Sequence, residues 1–213
     1  MAGRTFFKCH ALSNTPTLVV TPMGLDIHIA TDNYKDVYTF DFYKNDKDYR
    51  YRMSLSRNFC NLMCRQNVST GTPEFTQIAS LTEVDISAIF DMEKYWDDES
   101  PEHQISFGET DEDRKRIADK IQTDRNSLKG NIQKVYETVS ALIDKLQTVD
   151  NLDKIVKAYG HDTIGIAYYF SDFNNDKGNG YIGNNFGQDL RNFKRFLEYA
   201  KSKGTATVYF NYG

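Results

Sequence analysis

Cysteine is scarce in this 213-residue chain: three residues, Cys9, Cys60 and Cys64. An odd, small count excludes a disulfide-stapled scaffold and predicts reduced thiols in a cytoplasmic setting. Only four prolines and thirteen glycines are present, which excludes a collagen-like repeat. No apolar run approaches the roughly 20 residues of a membrane span, so no membrane partner is expected. Met1 to His10 lacks the apolar stretch of a signal peptide. Motifs are missing too. There is no P-loop, no dinucleotide fingerprint and no nucleophile elbow. These gaps favour a non-catalytic binding protein without a cofactor over an enzyme.

What is present is enough for a packed core. Hydrophobic residues make up 39% and charged residues 26%, a balance that argues against wholesale disorder. Fourteen Phe and fourteen Tyr are a load more typical of strands than of a helical bundle. The expected class is α+β: an antiparallel sheet with helices packed on one face, plus a long central helix or helical hairpin.

The formal net charge of −4 hides an asymmetry. Residues 1–82 sum to +2. Residues 83–124 carry five Lys/Arg against fourteen Asp/Glu, giving −9, and residues 125–213 sum to +3. An acidic middle between weakly basic flanks bears on partners.

Four segments follow. Residues 1–82 form a β-rich half with one short helix. Within them Leu25 to Ala30 alternates, and Val37 to Lys44 and Tyr49 to Leu55 read as a hairpin across Asn45 to Asp48. Ser56 is placed to cap a helix with Phe59, Leu62 and Met63 on one stripe. Residues 83–109 are an acidic irregular segment, with Thr82 and Asp85 opening a short helical stretch. Residues 110–159 are helical, and Thr110 with Asp113 forms a capping-box pattern. A heptad runs through Ala118, Ile121, Leu128, Ile132, Val135, Val139, Leu142, Leu146 and Val149, interrupted by Arg125. A single helix of about 40 residues would be about 60 Å long, against a radius of gyration of about 17 Å for a globule of this size. It must therefore project and pair, giving a homodimer through residues 111–149, or break, and Gly130 is the natural break. Residues 160–213 read as strand (Thr163 to Phe173), turn (Asn174 to Gly180), strand (Tyr181 to Phe186), helix (Gln188 to Lys203) and strand (Thr205 to Tyr212), completing the same domain.

Candidate chemistry is limited. Cys9, His10, Cys60 and Cys64 permit a zinc site to be drawn, but the adjacent pair is awkward for joint ligation, and small core thiols are the simpler reading. Asp172, Asn174 and Asp176 have the spacing of a calcium loop. They lack the glycine at position six and the bidentate acid at position twelve, so a turn is expected. His161-Asp162 hints at a metal-dependent hydrolase without the further ligands that chemistry needs.

The favoured site is the hairpin face carrying Lys44, Lys47, Tyr49, Arg50, Arg52 and Arg57. Cations neutralise phosphates and neighbouring rings stack on bases, the combination used to bind single-stranded DNA or RNA. The layout of short strands closed by a helix resembles that of sheet-plus-helix single-strand binders such as the Whirly group. The resemblance is one of layout and carries no residue motif. The alternative is a protein-interaction module, an inhibitor, immunity or assembly factor, that docks a basic protein through Asp97, Asp98, Glu99, Glu102, Asp111, Glu112 and Asp113.

Overall fold

A computed structural model describes residues 26–39, 42, 52–65, 71–94, 100–158, 163–180 and 182–212. Among them are ten helices and one antiparallel pair of strands, so the α+β expectation holds with helix dominant.

The two strands lie at opposite ends of the described chain. β1 (Ile27–Thr31) pairs with β2 (Val208–Tyr212), with Ile29 opposite Phe210 and Thr31 opposite Val208. Ile27, Ile29, Val208 and Phe210 are buried while His28 and Asn211 face water, the alternation of a sheet with one covered face. The two strands are held together by closure of the whole chain, since an isolated two-stranded ribbon is marginal in water.

Helix α1 (Tyr34–Val37) follows β1, and α2 (Arg57–Cys64) starts at Ser56, whose hydroxyl accepts the Phe59 N–H as expected. Then come α3 (Glu74–Thr82), α4 (Ser87–Asp91) with a 3₁₀ turn at Met92–Lys94, and α5 (Ser100–Ser106). The central segment divides into α6 (Asp111–Leu128) and α7 (Ile132–Leu146). Thr110 caps α6 by accepting the Asp113 N–H at 3.1 Å. Gly130 makes the break with φ of +75°, a conformation that glycine adopts without strain. Helices α8 (Leu152–Ile155), α9 (Thr163–Phe170) and α10 (Phe186–Ser202) complete the set. None of the helices among the described residues is long and apolar enough to cross a membrane.

Helix α10 is the centre of the packing. Leu190, Phe193, Phe196, Leu197 and Ala200 are buried on one side of it, as its periodicity predicts. It lies along α7, whose heptad positions Val135, Val139, Leu142 and Leu146 are fully buried. The apolar seam of α7 is therefore covered within the chain. Helix α6 packs instead on α5 and the 3₁₀ turn, burying Ile121 and Leu128. Phe59 of α2 lies at the heart of the core, with ring centroids 6.3 Å from Phe75, 6.1 Å from Phe193 and 6.3 Å from Phe210.

Several expected elements are overturned. Thr163–Phe170 is a helix, not a strand. Ala167 and Tyr168 are exposed while Tyr169 and Phe170 are buried, a pairing of neighbours that fits a helix and not a strand. Packing of Phe170 on Phe186, at 5.3 Å, overrides the β preference of an aromatic run. Helix α1 (Tyr34–Val37) runs into the expected strand at its first residue, Val37, and Tyr38 stacks on Tyr34 at 4.6 Å and meets Phe42 edge-on at 5.1 Å. Contacts at a spacing of four take the place of the alternation of 38, 40 and 42. Thr82 ends α3 and does not open a helix. The Asn174 to Gly180 turn connects two helices, since Phe186 opens α10 and no strand is described between them. Among the described residues the sheet has two strands, fewer than the layout of the sheet-plus-helix binders. The expected elements before residue 26, and most of the hairpin across residues 43–51, lie outside the described residues.

Candidate functional site

Of the cationic residues expected around position 52, Arg52 lies against α10. Arg52 is exposed in the turn before α2. Its backbone carbonyl accepts a hydrogen bond of 2.9 Å from Nε of Arg195, which also donates to Asn192. Arg195 is half-buried and fixed. Burial lowers its pKa, opposed by Asp176 and Glu198 and reinforced by the like charges of Arg191 and Arg52. A guanidinium so placed keeps its charge at neutral pH. Arg191 is tied down differently: Nε and one amino group donate to Asp176 at 3.0 and 2.6 Å, and the other amino group donates to the Phe173 carbonyl at 2.8 Å.

These contacts expose a regularity of α10. At 100° per residue, its outward stripe reads Arg191, Lys194, Arg195, Glu198, Lys201 and Ser202. That is four cations against one carboxylate. The stripe is the complement of the apolar positions 190, 193, 196, 197 and 200, so the sequence signal was available: the charge of the polar face, read with the same period as the core face.

Of the other residues expected here, Arg57 is exposed in the first turn of α2 and pairs with Asp26 at 3.0 Å. Lys44, Lys47, Tyr49 and Arg50 lie outside the described residues. So do Asp97, Asp98 and Glu99 of the alternative acidic surface. Glu102 is exposed on α5. Asp111, Glu112 and Asp113 occupy the first turn of α6, where a helix favours acids. Their charge is locally answered: Arg114 pairs with Asp111 at 3.2 Å and Arg116 with Asp113 at 2.8 Å.

The remaining chemical candidates do not assemble. Asp172 pairs with Lys177 at 2.8 Å, Asp176 with Arg191, and the Asn174 side chain donates to the Gln147 carbonyl at 3.0 Å, so the three are turned to three different partners. Cys60 is buried and Cys64 half-buried on α2, while Cys9, His10, His161 and Asp162 lie outside the described residues. Among the described residues no group of three or more His, Cys, Asp or Glu side chains is placed to hold a metal ion.

One polar cluster escaped the sequence reading: Asp189, buried among apolar neighbours on the core side of α10. Its carboxylate accepts from the Ser56 N–H at 3.1 Å, the Ser56 hydroxyl at 2.5 Å, the Asn184 amide at 2.7 Å and the Tyr169 hydroxyl at 2.8 Å. Burial pushes the carboxyl up to about 6 although all four donors favour its charged form. The same burial, and then the Asp189 charge, holds the Tyr169 phenol well above its usual value. The cluster is enclosed, with no exposed member atom to meet a substrate, and it joins α2, α9 and the 178–185 loop to α10. The signal for it was a carboxylate falling inside the apolar arc of an otherwise regular amphipathic helix.

No family model matches the chain, and no curated protein or solved structure matches it.

Proposed function

We propose that the protein is a non-catalytic binder of single-stranded nucleic acid, using the cationic face formed by Arg52 with α10. One observation carries this reading: Arg195 is held against the backbone of Arg52, so two guanidinium groups from distant parts of the chain share one face, with Arg191 beside them. Gathering like charges costs folding free energy, and an anionic ligand that covers them recovers it. Fixed cations meet phosphates with little loss of side-chain entropy, and guanidinium groups suit phosphate oxygens. Lys44, Lys47, Tyr49 and Arg50, expected to act with Arg52, lie outside the described residues.

The test is fluorescence anisotropy with labelled DNA and RNA strands of about 12 nucleotides, within the usual site sizes, at about 50 mM salt. Wild type is expected to bind both, and Arg50→Ala/Arg52→Ala to lose at least about ten-fold in affinity. Equal affinity of that variant and wild type overturns the site. Binding by wild type that ignores salt overturns the ligand class.

A further inference from the structure

We infer that the ligand is a phosphodiester chain tracked lengthwise along the outer face of α10, contacted at about three phosphates by Arg52, Arg195, Lys194 and Lys201. The inference rests on the nucleic-acid reading above and specifies the mode of contact.

Arg191 and Lys201 are ten residues apart on a straight helix, so the stripe is about 15 Å long at 1.5 Å per residue. An extended single strand spaces its phosphates about twice as far apart as the roughly 3.4 Å rise per phosphate of a duplex strand, so it passes about three phosphates over that length. Two of the cations are held ready by one ring. Lys194 and Lys201 place their ammonium nitrogens 5.5 and 4.6 Å from the ring centroid of Tyr136 on α7. Lys201 also donates to the Gln133 side chain. Tyr136 in turn donates its hydroxyl to Glu198 at 3.2 Å, occupying the one carboxylate on the stripe. Both flanks of the helix stripe are thus ordered before any ligand arrives: the arginine flank by the Arg52 carbonyl and Asn192, the lysine flank by Tyr136 and Gln133. Tyr136 is a positioning residue, because it acts through the lysines. Asp176 and Glu198 are the carboxylates that act on Arg195, and Asp176 is engaged by Arg191. No base-reading group is needed, and the contact is to backbone, so binding should tolerate any sequence.

The experiment is the salt dependence of a labelled thymidine strand of about 12 nucleotides, followed between about 50 and 200 mM sodium chloride. Three single-strand phosphate contacts give a log–log slope of about −2, at about 0.7 per contact. Lys194→Ala/Lys201→Ala should bind about ten-fold more weakly, with a slope shallower by about 1.4. Tyr136→Leu should weaken binding in the same direction, and Tyr136→Phe, which keeps the ring, should retain the wild-type slope. Glu198→Gln should bind more tightly. Lys194, Glu198 and Lys201 lie on the outer face of α10 while Tyr136 is half-buried against the core, so unchanged thermal melting by circular dichroism checks folding in each variant. If wild type binds and Arg52→Ala weakens it while Lys194→Ala/Lys201→Ala leaves slope and affinity unchanged, the track is overturned and the arginine site stands. If wild type binds no strand, or binds only vesicles of anionic lipid, both readings fall.

Discussion

Ser56 donates both its backbone N–H and its hydroxyl to Asp189, 133 positions away, one to each carboxylate oxygen. The same hydroxyl oxygen accepts the Phe59 N–H and so starts α2. One residue therefore caps its own helix and anchors it to α10. Asn184 and Tyr169 supply the second donor to each oxygen.

Asp189→Ala would leave four donors without their acceptor in a dry site. We expect a loss of about 3 kcal/mol or more, read as a lower urea midpoint.

The pH dependence of the same group has a definite sign. The carboxyl is pushed up to about 6 in the folded chain, above about 3.9 when unfolded. The folded state then holds the extra proton between those values. The contribution of Asp189 to stability grows as pH falls through about 6 and is complete below about 4, amounting to about 3 kcal/mol at 1.36 kcal/mol per unit. The neutral acid can give its proton to the Ser56 or Tyr169 oxygen, since either hydroxyl can turn to accept. Urea unfolding of wild type and Asp189→Asn from pH 7.5 to 4.5 checks this: wild type should gain on the variant towards the acid end. A constant gap between the two would refute the shift.

Glu74, at the start of α3, is fully buried and receives Arg65 through Nε at 3.0 Å to both oxygens and through an amino group at 2.6 Å. Removing Arg65 takes an ion pair and its hydrogen bonds from a buried carboxylate. Arg65→Met should cost about 3–5 kcal/mol in chemical denaturation, and Arg65→Met/Glu74→Met should recover most of that. A double variant as unstable as the single one would show that the pair is worth more than well-packed methylenes.

How much of this was legible follows the range over which each feature is decided. The caps at Ser56 and Thr110, the break at Gly130 and the apolar stripe of α10 depend on residues within a turn of one another, and local spacing announces them. α9 was misread because its strand-like aromatic run is made helical by distant partners, Phe186 and Asp189. Tyr34, Tyr38 and Phe42 satisfy a spacing of four as well as part of an alternation, and composition alone does not choose between them. Arg52 was legible as a cation. Its alliance with Arg195 was not, because a backbone carbonyl 143 positions away makes it.

Asn131 behaves as a third strand one residue wide. Its side-chain oxygen accepts the Val208 N–H at 2.8 Å and its amide donates to the Val208 carbonyl at 2.9 Å, covering the outer edge of β2. Asn131→Ala would leave both backbone groups without that partner. A loss of about 2 kcal/mol is expected, together with faster hydrogen exchange at the Val208 amide. Unchanged exchange there would mean that water replaces the side chain at no cost.

Two glycines separate conformation from space. Gly130 has a positive φ, yet a Cβ there would meet nothing within 4 Å, so Gly130→Ala should cost only backbone strain of about 1–2 kcal/mol. Gly187, in the first turn of α10, is the opposite case. A Cβ there would lie 1.9 Å from the Phe173 carbonyl oxygen, which is backbone and is itself held by Arg191. Alanine suits a helix better than glycine by about 1 kcal/mol, so propensity alone predicts that Gly187→Ala stabilises. The close approach predicts the reverse. The 171–180 loop must move off α10, and with it the three carbonyls of Ser171, Asp172 and Asn175 that accept from Asn185. We expect a net loss of about 2 kcal/mol and new tryptic cleavage after Lys177.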